Sequence, residues 1–297
     1  MQTRPSPRDH AVPGDGVRLH VRDWGGGPGP GGRPAPAVVL LHGLASNARI
    51  WDGVAPALVE AGLRVVALDQ RGHGESEQPG DGYDFAGVCR DLAAAVAALG
   101  FTRPLLVGHS WGANVSLQYA ADRDQVAGLA LVDGGFIEVS AWPGMTRQRA
   151  RERLAPPRFA VPVREWLDRA SGWLPPTVDS RDGWVRDFLR AGVEVDTAGV
   201  ARARFRFANH LQVIEALYDQ HPSALYARVA CPALLCVALE DNEFDLIKRN
   251  AVALAAERLP HVRTIWFEET MHDIPLQHPA ALAAELVRFA EAVRAGG

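Results

Sequence analysis

Lysine is nearly missing from this chain: of 31 basic residues, Lys248 alone is a lysine and the rest are arginine. So lopsided a ratio reads as compositional bias, although arginine is also the better bidentate partner for carboxylates. A basic excess is missing too. With a net charge of −4 and a pI near 6.2, the chain lacks the cationic surplus that displaces counterions from a phosphate backbone, so nucleic acid is excluded as an expected partner. No stretch approaches the roughly 18 uninterrupted apolar residues of a membrane span, and the opening MQTRPSPRDHAVPGDG lacks the apolar segment of a secretory signal. No membrane partner is expected, and the expected location is cytoplasmic. Cysteine is scarce: Cys231 and Cys236 flank one apolar run at odd spacing, hence on opposite faces of a strand, while Cys89 sits in a helical pattern. That excludes a disulfide or zinc framework and leaves three small buried hydrophobes.

What is present is an ordinary globular composition, 47% apolar and 22% charged, which rules out a disordered, collagenous or coiled-coil chain. At 297 residues the chain has length enough for one large α/β core with an inserted sub-domain. Continuous apolar runs at Ala37–Leu41, Arg64–Leu68, Pro104–Gly108, Val126–Val132, Pro232–Ala238 and Val262–Phe267 suit strands covered on both faces. Val17–Trp24 instead alternates apolar with polar, the pattern of a half-exposed antiparallel edge strand pairing with the segment before Gly14–Gly16. Helical spacing at Ile50–Glu60, Asp84–Leu99, Trp111–Ala121 and Ala280–Val293 supplies the crossovers. The expected fold is α/β, a mostly parallel eight-stranded sheet with helices on both faces. Gly25–Pro36 has almost nothing to bury and is expected to be a mobile peripheral loop. Between Val132 and Pro232 the alternation stops; this interval holds Trp142, Trp166, Trp173 and Trp184, and the proline pairs Pro156–Pro157 and Pro175–Pro176 break it into short helices. Residues 1–136 and 229–297 are assigned to the core, and 137–228 to a helical lid inserted after the sixth strand.

The chemistry starts at Gly108-His109-Ser110-Trp111-Gly112, a G-x-S-x-G directly after an expected strand and before an expected helix. A serine on so tight a turn needs small neighbours two positions away on each side, which Gly108 and Gly112 provide. A serine hydroxyl needs a base, and the base needs a carboxylate to fix its tautomer. His272, a short loop after the last strand, is the base of choice over His278, which abuts the helix start at Pro279. Asp241, just past Ala233–Ala238, is preferred as the acid because it keeps the chain order Ser, Asp, His; Asp133, at the end of the strand before the insertion, is the alternative. Glu240 and Asp245 are weaker candidates. The ten histidines are scattered without paired ligand spacing, so no metal is implied.

Taken with these residues, His42-Gly43-Leu44, Asp69-Gln70-Arg71-Gly72-His73-Gly74 and Met271-His272-Asp273 make the chain resemble the α/β-hydrolase superfamily, nearest to its capped esterase, lactonase and carbon–carbon hydrolase members, over Val17 to Val293. The resemblance implies an oxyanion hole from the backbone N–H groups of Leu44 and Trp111, close backbone approach at Gly43, and a structural rather than catalytic role for His73. It also implies a lid whose inner face meets the substrate, with Phe136, Ile137 and Trp142 beside Trp111 in the pocket, and no cofactor. Serine as nucleophile points to a small-molecule ester, lactone or thioester with a medium-sized apolar or aromatic group. A carbon–carbon hydrolase, a cofactor-free perhydrolase and a ligand-binding receptor with vestigial hydrolysis are the alternatives. Two positions depart from the family pattern: Met271 stands where a glycine commonly precedes the histidine, and Ala238-Leu239 where many relatives have glycine before the acid loop.

Overall fold

A computed structural model describes residues 5–26 and 35–296. The centre of the Gly25–Pro36 stretch, 27–34, lies outside the described residues. The strands, in chain order, are β1 (Arg8–Pro13), β2 (Arg18–Gly25), β3 (Ala37–Leu41), β4 (Arg64–Leu68), β5 (Leu105–His109), β6 (Gly128–Val132), β7 (Val161–Pro162), β8 (Val193–Val195), β9 (Val200–Ala203), β10 (Ala233–Ala238) and β11 (Val262–Phe267). The helices are α1 (Ala55–Glu60), α2 (Phe85–Ala98), α3 (Trp111–Asp122), α4 (Arg147–Leu154), α5 (Val163–Ser171), α6 (Gly183–Ala191), α7 (Phe207–Asp219), α8 (Pro222–Leu225), α9 (Phe244–Arg258), α10 (Ile274–Gln277) and α11 (Pro279–Gly296).

Eight strands form one sheet in the order β1-β2-β4-β3-β5-β6-β10-β11. The β1/β2 and β2/β4 pairs are antiparallel and the others parallel. Unbroken apolar runs make this possible, because alternate residues face opposite sides and each side must be covered. Val39 and Leu41 of β3 join Leu235 and Val237 of β10 in a core shared with α2, α3 and α9. Val38 and Leu40, with Leu234 and Cys236, join the core shared with α1 and α11. Cys231 and Cys236 therefore bury on opposite faces, and all three cysteines are free thiols.

Two sequence expectations need correction. The strand Val17–Trp24 is not at the edge: β1 takes that place, and β2 is mostly buried. Its polar alternates are accommodated by ion pairs, His20 with Asp69 at 2.8 Å and Arg22 with Asp52 at 2.8 Å, so polarity did not mean exposure. Nor is the interval between β6 and β10 wholly helical. It carries a second antiparallel sheet, β7-β9-β8, whose Val193 and Ala201 bury against Trp166 and Ala170 of α5. Among the described residues no helix is long and apolar enough to cross a membrane.

The turn from β5 into α3 depends on missing side chains. A Cβ on Gly108 would fall 2.2 Å from the Gly112 carbonyl oxygen, and one on Gly112 would fall 2.5 Å from those of Leu41 and His42. Both obstacles are backbone. Gly112→Ala is therefore expected to lower stability by about 2–3 kcal/mol in a urea melt. Gly183→Ala, at an open helical position, should change it by less than about 0.5 kcal/mol.

Candidate active site

Between β3 and β5 the sheet reverses its winding, since β4 lies on one side of β3 and β5 on the other. Such switch points open a crevice at the carboxyl ends of the strands. Into it β3 delivers His42-Gly43-Leu44 and β5 delivers His109-Ser110. Ser110 sits at φ 54° and ψ −123°, a conformation costing on the order of 1–3 kcal/mol. The turn is held by the Ser110 N–H, which donates to the Val132 carbonyl at 2.9 Å, and by the Ser110 carbonyl, which accepts from Ala113 at 2.9 Å. A Cβ on Gly43 would lie 3.0 Å from the Ser110 Cβ and 3.4 Å from its Oγ, so the β3 turn runs against the serine itself.

His272 donates from Nδ1 to Asp133 Oδ2 at 2.6 Å; its side chain is 49% exposed, that of Asp133 1%. Its carbonyl accepts from His109 Nε2 at 3.0 Å and from the Ile274 N–H at 3.0 Å. Asp133 takes two further donors, the Ala238 N–H on Oδ1 at 3.0 Å and Lys248 Nζ on Oδ2 at 2.9 Å. Burial opposes its ionisation, but the hydrogen bond and charge of His272, helped by Lys248, hold the carboxyl below the usual carboxylate range. Partial loss of water on its protein-facing side opposes the His272 imidazolium, yet the bond to Asp133 and its charge prevail and raise the pKa of His272 above the ordinary 6.5.

The carboxylate on His272 is thus Asp133, and the preference for Asp241 is corrected. Asp241 is exposed at φ 58°. Its N–H donates to Asp245 Oδ2 at 2.8 Å, and Asp245 also accepts from the Glu240 N–H at 3.3 Å. Asp245 closes the loop into α9 on itself and leaves Asp241 facing solvent. Glu240 is exposed as well, and His278 stacks on Phe267 at 6.1 Å.

The turn carrying Leu44 is braced by two histidines. His42 Nε2 accepts from the Gln70 N–H at 3.1 Å, so its protonated Nδ1 donates to the Gly43 carbonyl at 2.7 Å. His73 Nε2 accepts from the Ala45 N–H at 3.1 Å while Nδ1 donates to the Arg71 carbonyl at 2.9 Å, and the ring stacks on Phe205 at 3.8 Å. Both are buried, which pushes their pKa values down and keeps them neutral. Among the described residues neither the Leu44 nor the Trp111 N–H has an acceptor. Phe136 is buried in the cluster holding Trp111 and Phe205, with Ile137 packed against it. Trp142 meets Phe244 edge-on at 5.2 Å and, like Leu44, packs against the small cluster of Val139, Met145, Ala150 and Ile214.

A groove of about 600 Å³ lies at the amino ends of the strands, between Ala37, Ala127, Ala233 and Phe289. It is at the opposite end of the sheet from Ser110, and its polar lining is chiefly arginine, so chemistry rather than volume locates the site. Among the described residues no three histidine, cysteine or carboxylate side chains are arranged to hold a metal ion.

The family profile described as the alpha/beta hydrolase fold matches residues 36–279. The chain belongs to the α/β-hydrolase-fold family. It is 39% identical over 290 residues to a "Non-heme haloperoxidase" of Rhodococcus erythropolis, covering 93% of this chain and 97% of the relative. It is 38% identical over 120 residues to the "Bifunctional esterase/perhydrolase DCH" of Acinetobacter calcoaceticus, covering 40% and 41% of the two chains. Its fold superposes on that of "E-2-(Acetamidomethylene)succinate Hydrolase" with a TM-score of 0.77 at 22% identity, covering 96% and 99%.

Sequence reading missed three supports of this α/β-hydrolase site: Lys248, His109 and Gln277, whose Oε1 accepts from the Met271 N–H at 2.8 Å. Lys248 had a signal, since it shares the buried stripe of α9 with Val252 and Ala255, where an apolar residue is the rule.

Burial holds His42 and His73 below 6.5, and brings His109 and His210 down to about 4. Their depressed values mean that the unfolded chain takes up protons which the fold refuses, so stability must fall as pH drops from 6.5 towards 4. Asp52, pushed up to about 6 by burial, opposes this with a single proton. The urea midpoint should decrease steadily over that window; a flat profile would show that these histidines are not held neutral.

Proposed function

We propose that the protein is a serine hydrolase that cleaves carboxylic esters through an acyl-enzyme on Ser110. The observation carrying this reading is the bond from His272 Nδ1 to the buried Asp133, one residue beyond the Val132 carbonyl that receives the Ser110 N–H. With Nδ1 protonated, Nε2 is the free lone pair that takes the Ser110 proton as Oγ attacks the carbonyl. Asp133 stabilises the imidazolium that forms. The N–H groups of Leu44 and Trp111 receive the developing oxyanion, and two such donors are worth several kcal/mol of barrier. His272 then gives its proton to the leaving alkoxide and activates water, which releases the acid and restores Ser110. His42, His73 and the Asp69 turn keep the donor on Leu44 in place. The residues between β6 and β10 act as a cap, and Phe136, Ile137, Trp142 and Phe244 favour an apolar or aromatic acyl group.

The similarity to a haloperoxidase and to a bifunctional esterase/perhydrolase supports a second activity of the same centre. Hydrogen peroxide replaces water on the acyl-enzyme, the acyl C–O bond to Ser110 breaks, and a peracid leaves while His272 returns the proton to Oγ.

Ser110→Ala should abolish p-nitrophenyl ester hydrolysis and labelling by a fluorophosphonate. Residual kcat above a few per cent would exclude Ser110 as the nucleophile, and absence of turnover in the wild type would leave a binding protein. Asp133→Asn should lower kcat by about 10³–10⁴-fold, because an amide holds the wrong tautomer and cannot stabilise the imidazolium. Asp241→Asn should stay within about twofold, and the reverse pattern would return the acid to the loop after β10. The acid limb of the kcat/KM profile should have its midpoint above 6.5, as the bond from His272 to Asp133 requires.

A further inference from the structure

The single lysine of the sequence lies where no surface cation belongs. Lys248 is 5% exposed in its side chain and projects from the core stripe of α9. Its Nζ donates to Asp133 Oδ2 at 2.9 Å, the same oxygen that accepts from His272, and to the Ala238 carbonyl at 2.8 Å. Ala238 also donates its N–H to Asp133 Oδ1. Lysine and backbone together therefore clamp the carboxylate to the end of β10 from both of its oxygens. Nothing in the hydrolytic steps calls for a cation there.

The charges facing this group come from several elements. Asp133 stands at the end of β6, His272 and Asp273 on the loop after β11, His109 at the end of β5, and Cys236 on β10. Burial keeps His109 and the Cys236 thiol neutral. Without the lysine, Asp133 and a protonated His272 would form a pair of zero net charge. With it, Asp133 is already neutralised at rest, and protonation of His272 creates a net positive centre only one carboxylate oxygen away from the ammonium.

Resting on the reading that Ser110, His272 and Asp133 work together, we propose that Lys248 is a positioning residue that sets the strength of His272 as a base. It fixes the orientation of Asp133 and makes the imidazolium less comfortable. The base then stays free for the Ser110 proton at lower pH, and it gives that proton up more readily to a leaving alkoxide. A lysine suits the place because its compact ammonium reaches Oδ2 and a carbonyl at once, where a planar guanidinium needs a wider fork.

The test uses the intact chain. In Lys248→Met, the His272 titration followed by imidazole NMR should move up by about one pH unit or more, and the acid limb of kcat/KM should move with it. The rate at high pH should be far less affected than the rate at pH 6. An equal loss at every pH, with the His272 titration unmoved or lowered, would overturn the proposal and leave Lys248 a packing residue. The wild type offers a check that needs neither the variant nor a substrate. Labelled with [15N]lysine, it gives one Nζ resonance, which should inflect at the His272 titration and lose that inflection in His272→Gln. An Nζ signal indifferent to His272 would equally overturn it. Both NMR readings stand even if no ester is turned over, so failure of this inference is separable from failure of the proposed hydrolysis.

Discussion

Asp133 is withdrawn from water at the carboxyl end of β6, and its two oxygens receive donors from the loop after β11, from α9 and from the backbone of β10. A carboxylate so buried is tolerable only if every lone pair that loses water finds a donor, and leaving one unmet costs several kcal/mol. That requirement fixes the relative positions of β6, β10, α9 and the loop after β11. It also locates Ser110, because the residue before Asp133 supplies the carbonyl on which the serine turn hangs. Displacement of any one contributor would leave either a buried charge without partners or an imidazole without orientation.

The other half of the site is held in the opposite electrical state. Around the Leu44 turn the structure uses neutral imidazoles as rigid two-ended braces, each accepting a backbone N–H on one nitrogen and donating to a carbonyl from the other. Asp69 anchors the neighbouring chain by accepting from the Ala48 N–H at 2.7 Å and the Glu75 N–H at 3.0 Å. A cationic histidine has no acceptor nitrogen, so protonating His42 or His73 would release Gln70 or Ala45 and loosen the turn. Neutrality at these two rings is as necessary to the Leu44 turn as ionisation of Asp133 is to its bond with His272.

The sheet was legible because buried parallel strands leave an unmistakable pattern: β3 and β4 fall on the runs that apolar continuity marked. Ser110 and His272 could be singled out because each follows a strand whose carboxyl end opens on the switch point, where side chains gather. The choice between Asp133 and Asp241 was not legible, for both leave the carboxyl ends of adjacent strands and only side-chain direction separates them. That direction is decided by Asp245, which caps its own loop, and by Lys248, which satisfies Asp133 from a helix far along the chain. Sequence patterning sees periodicity and punctuation, and both deciding contacts are tertiary. The alternating polar residues of β2 misled for a related reason, since ion pairing with Asp69 and Asp52 bury them as effectively as apolarity would.

The position of Asp133 at the end of β6 has a mechanical consequence, because the chain leaves the sheet at that residue for the segment that ends at β10. Gly134 follows at once, and a Cβ there would fall 2.3 Å from the Ser110 carbonyl oxygen, so the departing chain passes directly over the serine turn. Motion at this root would carry Asp133 away from His272 unless the root were pinned. It is pinned from α3: Asn114 accepts the Gly135 N–H at 3.3 Å and donates to Gln220 at 2.7 Å, joining the outgoing strand of the segment to its return. Glu138 repeats the link by accepting from His221 at 2.8 Å and Ser223 at 2.9 Å. The segment is therefore tied at both of its ends, and α3, the helix that follows Ser110, also carries the side chain that holds the chain leaving Asp133.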